Sequence, residues 1–281
     1  MFVLIGYVII LATVFGGFII AGGHIMVVVN AAAIEMLIIG GGAAGAFVAA
    51  NSIKTIKASI GGALGLLKGP KFGKADYIEL LKLLYELLMK IRKEGLMAVE
   101  SHVENPEASA IFQKYPKVLA DHHLLDFITD CLRLMIGGNM NPHELEAVLE
   151  AELDTHHKEA HTPSHAIQTM ADGLPAFGIV AAVLGIVKVM EYVGNAPPEV
   201  IGQKVAAALV GTFLGILLGY GFVGPVASAM AARAEEDGKP FELVKIALLA
   251  SVRGYPPPRK QLFSDIRPSF ADLETELKGA K

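Results

Sequence analysis

The chain has 281 residues and a formal net charge of −4, with 53% apolar residues and only 19% charged ones. A soluble globular domain usually carries about a quarter charged residues, so the balance, with a mean hydropathy of +0.50, points to lipid as the surroundings. There is no basic stripe of the kind that holds nucleic acid, and a single cysteine, Cys131, excludes a disulfide framework and suits a reducing compartment.

From Met1 to Gly23 no side chain is charged, and "MFVLIGYVIILATVFGGFII" supplies the roughly 20 apolar residues that cross a bilayer. The segment lacks a basic leader and is too long for the core of a typical signal peptide, so residues 1–22 are expected to be a retained span. A short connection, "AGGHIMVVVNAAA", leads to a second expected span over 34–53, with Glu35 at its outer end.

That second span contains "EMLIIGGGAAGAFVAA", which spells G-x-G-x-x-G through Gly40, Gly42 and Gly45. A dinucleotide turn needs a strand, a helix N-terminus and an acid about 20 residues on for the ribose. Here the first acid downstream is Asp76, and no second strand follows. The glycines read instead as small residues that let membrane helices approach closely. Gly16 and Gly17 do the same in the first span, and Gly211, Gly215 and Gly219 line one face of the fourth. Such faces pack helices both within one protomer and between protomers, which makes an oligomer the expected state.

Residues 54–171 are expected to form a helical cytoplasmic domain. Lys54, Lys57, Lys68, Lys71 and Lys74 crowd the exit of the second span, while the first hairpin loop has neither Lys nor Arg. The positive-inside rule therefore puts the large loop and both termini in the cytoplasm. From Asp76, "DYIELLKLLYELLMKIRKEGLMAVESHVENP" repeats apolar residues at helical spacing until Pro106. "DHHLLDFITDCLRLMIGG" reads as a second helix with Gly137 and Gly138 at its C-cap. "NPHELEAVLEAELDTHHKEAH" opens a third, with Asn141 as N-cap and Pro142 in the first turn. No strand alternation occurs. His157 and His161 are four apart, as zinc ligands on one helix face are, but no Cys joins them and no H-E-x-x-H occurs. With His122, His123, His156 and His165 they read as a polar solvated face, and neither metal nor cofactor is expected.

The third and fourth spans are expected over 173–192 and 203–227, joined by "EYVGNAPPEVIGQK", with a cytoplasmic tail over 228–281. An ion path needs an ionisable or coordinating group inside the membrane. The interiors of these two spans hold no acid; they offer Pro175, Pro225, Thr212 and Tyr220. A proton relay built from this chain alone lacks its carboxylate, which implies a partner with a single membrane helix that carries one. Pro175 reads either as a hinge or as a helix-start proline, and Pro225 either as a hinge or as a helix-end break.

"DGLPAFGIVAAVLGIV", "VGTFLGILLGYGFVGPVA" and "GYVIILATVFGGFIIAGG", with "VENPEASAIFQKYPKVLADH" and the tail "GYPPPRKQLFSDIRPSF", closely resemble the MotA family of flagellar motor stator proteins over essentially the whole chain. The resemblance implies an all-α integral membrane protein of the bacterial inner membrane, with four transmembrane helices in two hairpins and a helical cytoplasmic domain between spans two and three. It implies a homo-oligomeric ring in membrane lipid around two copies of a MotB-type, single-span, peptidoglycan-anchored partner that supplies the ion-binding aspartate. It implies that the family's paired prolines fall on Pro175 and Pro225 and its pore-side threonine on Thr212. Rotor contact with a FliG-type switch-complex protein falls on Arg92 and Glu100, with Glu152 on the same surface. Sodium-driven relatives carry a threonine where this chain has Ala182, so the expected ion is the proton. An ExbB/TolQ-type proton channel energising outer-membrane transport is the alternative, although that family has one span before its cytoplasmic domain. A membrane enzyme using the histidines, or a nucleotide at Gly40 to Gly45, is the remaining class and is not the expectation.

Overall fold

The computed structural model describes residues 2–69, 71–138 and 141–254, and no strand occurs among them. The chain is an all-α integral membrane protein whose four long apolar helical stretches lie within Val3–Ile20, Ile25–Ala50, Pro142–Met190 and Pro198–Val252. It divides into two units, residues 1–69 with 159–234 and residues 70–158 with 235–281. From residue 255 onward the tail motif lies outside the described residues.

The membrane unit starts with α1 (Phe2–Ile20) and α2 (Ile25–Ala50). They are joined by a tight turn in which Gly22 takes φ +85°, a region that favours glycine. The connection is shorter than the sequence implied. "IMVVVNAAA" contains neither Gly nor Pro, and a backbone in an apolar setting satisfies its own hydrogen bonds by staying helical. Glu35 is therefore not at a helix end: α2 begins ten residues before it. After Asn51 the chain enters α3 (Ile53–Gly65), capped by Ser52 Oγ accepting from Thr55 N at 3.2 Å. Ser59 on its buried face donates to Pro163 O at 3.2 Å.

The second unit starts with α4 (Lys74–Glu94), which buries Leu80, Leu83, Leu84, Leu87 and Leu88 along one side. The single helix expected up to Pro106 stops at Gly95, where φ is +88°. A 3-10 turn (Leu96–Val99) and α5 (Glu100–Glu104) follow, then α6 (Pro116–Ala120) and α7 (His122–Gly137). Asp121 caps α7 by accepting from Leu124 N at 3.3 Å. Phe112, Ile128, Leu132, Leu149 and Leu248 are fully buried at the centre of this bundle. Each such side chain contributes about 1.5–3 kcal/mol of burial.

The third helix of the domain and the third span are one element, α8 (Pro142–Met190, 49 residues). Asn141 Oδ1 caps it, accepting from His143 N at 3.0 Å and Glu144 N at 2.9 Å. Pro163 and Pro175 both lie inside this helix. A turn with Gly194 at φ +91° leads to α9 (Pro198–Ile216). A π-helical segment, Leu217–Val223, passes directly into α10 (Gly224–Val252), so the region expected to be tail from residue 228 continues as helix. Ile39 and Ala43 of α2, Leu174 and Ala181 of α8, and Val210 and Leu214 of α9 form the core of the membrane unit.

Candidate functional site

The site is the seam between α8 and α9, and glycines make it. A methyl group built on Gly215 would lie 2.8 Å from Gly178 Cα, and one on Gly185 would lie 2.7 Å from Ala208 Cβ. One on Gly211 would lie 3.1 Å from Ala181 Cβ and 3.2 Å from Ala182 N. Backbone thus meets backbone, which in lipid replaces the hydrophobic drive that soluble helices use. The four-residue repeat Gly211, Gly215, Gly219 packs as its spacing implied, against α8 of the same chain. The second span's glycines divide: Gly42 is covered by the Phe177 ring, while Gly40, Gly41 and Gly45 have no neighbour a methyl group would touch.

Both site prolines lie within continuous helix, so neither the helix-start reading of Pro175 nor the helix-end reading of Pro225 holds. Pro175 has no N–H, so Ala171 O, one turn back, loses its helical donor. That carbonyl turns toward Gly219, where a methyl group would stand 2.7 Å from Ala171 O and 3.0 Å from Pro175 Cδ. Gly219 belongs to the π-helical segment, closed by Gly224 N donating to Gly219 O, immediately before Pro225. Widening the turn is how a helix accommodates a residue that cannot donate, and π segments gather at functional positions. Tyr7 of α1 pins the segment: its hydroxyl donates to Phe222 O at 2.7 Å, with the rings 4.8 Å apart. Sequence reasoning missed the π segment; the run "LLGYGFVGP", glycines ahead of a proline, is the signal that marks it.

The remaining expected residues fall as follows. Ala182 is buried at 7% exposure in the seam opposite Gly211, and Thr212 is the half-buried residue beside that glycine. Tyr220 is 64% exposed on the π segment. Pro225 is half-buried. Arg92, in the last turn of α4, Glu100, opening α5, and Glu152 on α8 are all exposed in the second unit. Glu35, expected where the second span meets the outer surface, is 8% exposed, and its Oε2 is buried without a hydrogen-bond partner among the described residues. A methyl group on Gly211 would lie 2.6 Å from that oxygen.

Around Arg92 and Glu100 the helices are held by polar contacts. His102 links Lys90 Nζ, 3.2 Å from its Nε2, to Ser109 Oγ, 2.8 Å from its Nδ1. Burial first, then the Lys90 charge, hold His102 below the usual imidazole range, with Glu86 opposing. The neutral ring therefore accepts from Lys90 and donates to Ser109. Tyr115 donates to Glu86 Oε2 at 3.0 Å, and burial and this carboxylate push its phenol upward. Lys114 pairs with the other Glu86 oxygen. Of the histidines read as solvated, His122 and His123 are exposed, whereas His156 lays its ring 4.1 Å from that of Phe241.

Comparison with known proteins agrees with this architecture. Residues 4–95 match the family described as Motility protein A N-terminal, and residues 120–242 match the MotA/TolQ/ExbB proton channel family. The chain is 43% identical to Motility protein A of Salmonella typhimurium, covering 100% of this chain and 96% of that one. It is 41% identical to Chemotaxis protein LafT of Vibrio parahaemolyticus over 97% of each chain. Its fold is similar to that of a chain in the flagellar MotAB stator complex from Bacillus subtilis, with a TM-score of 0.69 at 22% identity, covering 99% of this chain and 98% of that one. With an N-terminal helix pair, a glycine seam and full-length identity of this extent, the chain belongs to the motility protein A family of MotA/TolQ/ExbB proton channels.

Proposed function

We propose that this chain is the ion-conducting, ring-forming component of a bacterial flagellar stator. The observation that carries the reading is the proline seam. Pro175 and the π segment before Pro225 place two interrupted hydrogen-bond ladders against each other through Gly219. A seam built this way lacks one ladder bond at each proline, which eases bending there, and coupling ion passage to movement requires such bending. The interiors of α8 and α9 across the membrane bear no acid, which supports a MotB-type single-span partner as the source of the ion-binding carboxylate. Several copies of this chain would ring two copies of that partner. The large loop and both termini would face the cytoplasm, where the positive residues after α2 gather.

Rotation would be passed to a FliG-type rotor protein through Arg92, Glu100 and Glu152. Exposed charges contribute little to stability but govern encounter and register, which suits a contact made and broken repeatedly. The ion would be the proton. Ala182 presents a methyl group where a hydroxyl would be needed to help strip and coordinate sodium. No cofactor enters the proposal. The ExbB/TolQ-type alternative is disfavoured by the α1–α2 hairpin, which matches the Motility protein A N-terminal family.

The test is a motile host lacking its own stator, given this chain and its partner. Swimming speed is expected to follow the proton gradient and to be indifferent to external sodium. Speed that tracks sodium and ignores the proton gradient would overturn the choice of ion. Normal torque from Arg92→Glu with Glu100→Lys at matched protein levels would overturn the rotor surface.

A further inference from the structure

We propose that Glu35 is a proton-binding site inside the membrane unit, holding its proton as a neutral carboxylic acid in the notch that Gly211 leaves on α9. Three observations meet there. The side chain is 8% exposed, yet it sits in α2 ten residues from the helix start. Its Oε2 is buried and has no hydrogen-bond partner among the described residues. The notch exists only because residue 211 is glycine: a methyl group there would stand 2.6 Å from Oε2, and Ala181 Cβ and Ala182 N line the same space.

Among the described residues the surroundings offer no counter-charge. Of the ionisable groups on the elements beside α2, Tyr7 of α1 is committed to Phe222 O. On α8, Asp172 accepts from Gln168, and Lys188 is exposed near the helix end. On α9, Glu199 is exposed in the first turn. Lys204 stands over the Tyr192 ring at 5.5 Å. It also lies about 10 Å along the helix from Gly211. On α2 itself, His24 stands before the first turn. An ionised carboxylate in such a place, desolvated and facing methyl groups and backbone, is far costlier than the neutral acid. The proton comes from water at a membrane surface: a hydronium ion gives it up and leaves as water, and one carboxylate oxygen becomes O–H. In this form Glu35 completes the α2–α9 packing; ionised, it would press a charge into the seam beside Ala182.

The site is separate from the carboxylate that the proposed partner brings, since Glu35 is enclosed by its own chain. The inference needs α2 in the membrane but does not rest on the torque reading. The experiment is infrared spectroscopy of the full chain with its partner in lipid bilayers. At neutral pH the wild type is expected to show the carbonyl stretch of a protonated, poorly hydrated carboxylic acid, absent from Glu35→Gln assembled to the same level. Gly211→Ala, which crowds Oε2, is expected to shift that band. An identical band in Glu35→Gln, or no protonated-acid band in the wild type, would overturn the site. Where Glu35→Gln does not assemble, Glu35→Asp takes its place: a displaced acid band supports the site, and an acid band identical to the wild type overturns it. A missing band in a complex that still turns the rotor would remove the proton site alone. A clear band in a chain that drives no rotation would remove the stator reading alone.

Discussion

Pro175 of α8 rests on Gly219 of the π-helical segment, so closely that a methyl group on Gly219 would stand 3.0 Å from Pro175 Cδ. The proline removes a bond from Ala171 O, and the glycine gives the freed carbonyl room. Gly219→Ala would overpack this contact, and overpacking of a close-packed core costs about 1–3 kcal/mol. Applied to a movement rather than to folding, that is roughly a 5- to 160-fold loss of rate. Tethered-cell rotation at matched membrane levels should show a severe loss for Gly219→Ala. Gly40→Ala meets no neighbour within the chain, so any loss of rotation it causes reports packing between protomers.

Tyr7→Phe deletes the hydroxyl that donates to Phe222 O while keeping the ring contact. The expected cost is about 0.5–1.5 kcal/mol. It falls on the π segment, so hydrogen exchange of the amides after Leu217 should accelerate while α4 and α7 exchange as before.

Cys131 is 2% exposed, and burial, with Asp130 and Glu152 nearby, pushes its thiol up to about 12. The thiolate is the reactive form, so maleimide labelling of the folded chain at mildly alkaline pH should be at least about a hundredfold slower than in denaturant. It is the chain's sole cysteine, so the label counts molecules directly.

His102 is held below the usual imidazole range in the folded chain. Between its folded value and the ordinary value of about 6.5 the unfolded state binds more protons, so stability falls as pH drops through that window. Above about 6.5 both states carry a neutral ring and the effect vanishes. Thermal unfolding should show this acid sensitivity, reduced in His102→Gln.

The sequence made the fold readable where one rule acts alone. The repeat Gly211, Gly215, Gly219 announces a packing face, and Asn141 with Pro142 announces a helix start. It was less readable where two rules compete. Pro175 is a helix breaker by its chemistry, yet a helix in an apolar setting has no other way to satisfy its neighbours' backbone, so α8 runs through it. The same pressure extends α2 back to Ile25, so that Glu35 lies ten residues inside the helix and is buried against its own chain. Gly95 breaks a pattern that is otherwise helical, because its left-handed φ is a choice that apolar spacing does not encode. The exposed positions Arg92, Glu100 and Glu152 were legible only through the family resemblance, for nothing in their setting separates them from ordinary solvated charges.

In the proposed stator this chain forms the path and the moving seam, and the single-span partner supplies the conducting carboxylate. Proton flux into liposomes measures it directly, with the chain reconstituted alone and with its single-span partner. Flux is expected with the partner, and at least about tenfold less without it. Equal flux from the chain alone would contradict the claim.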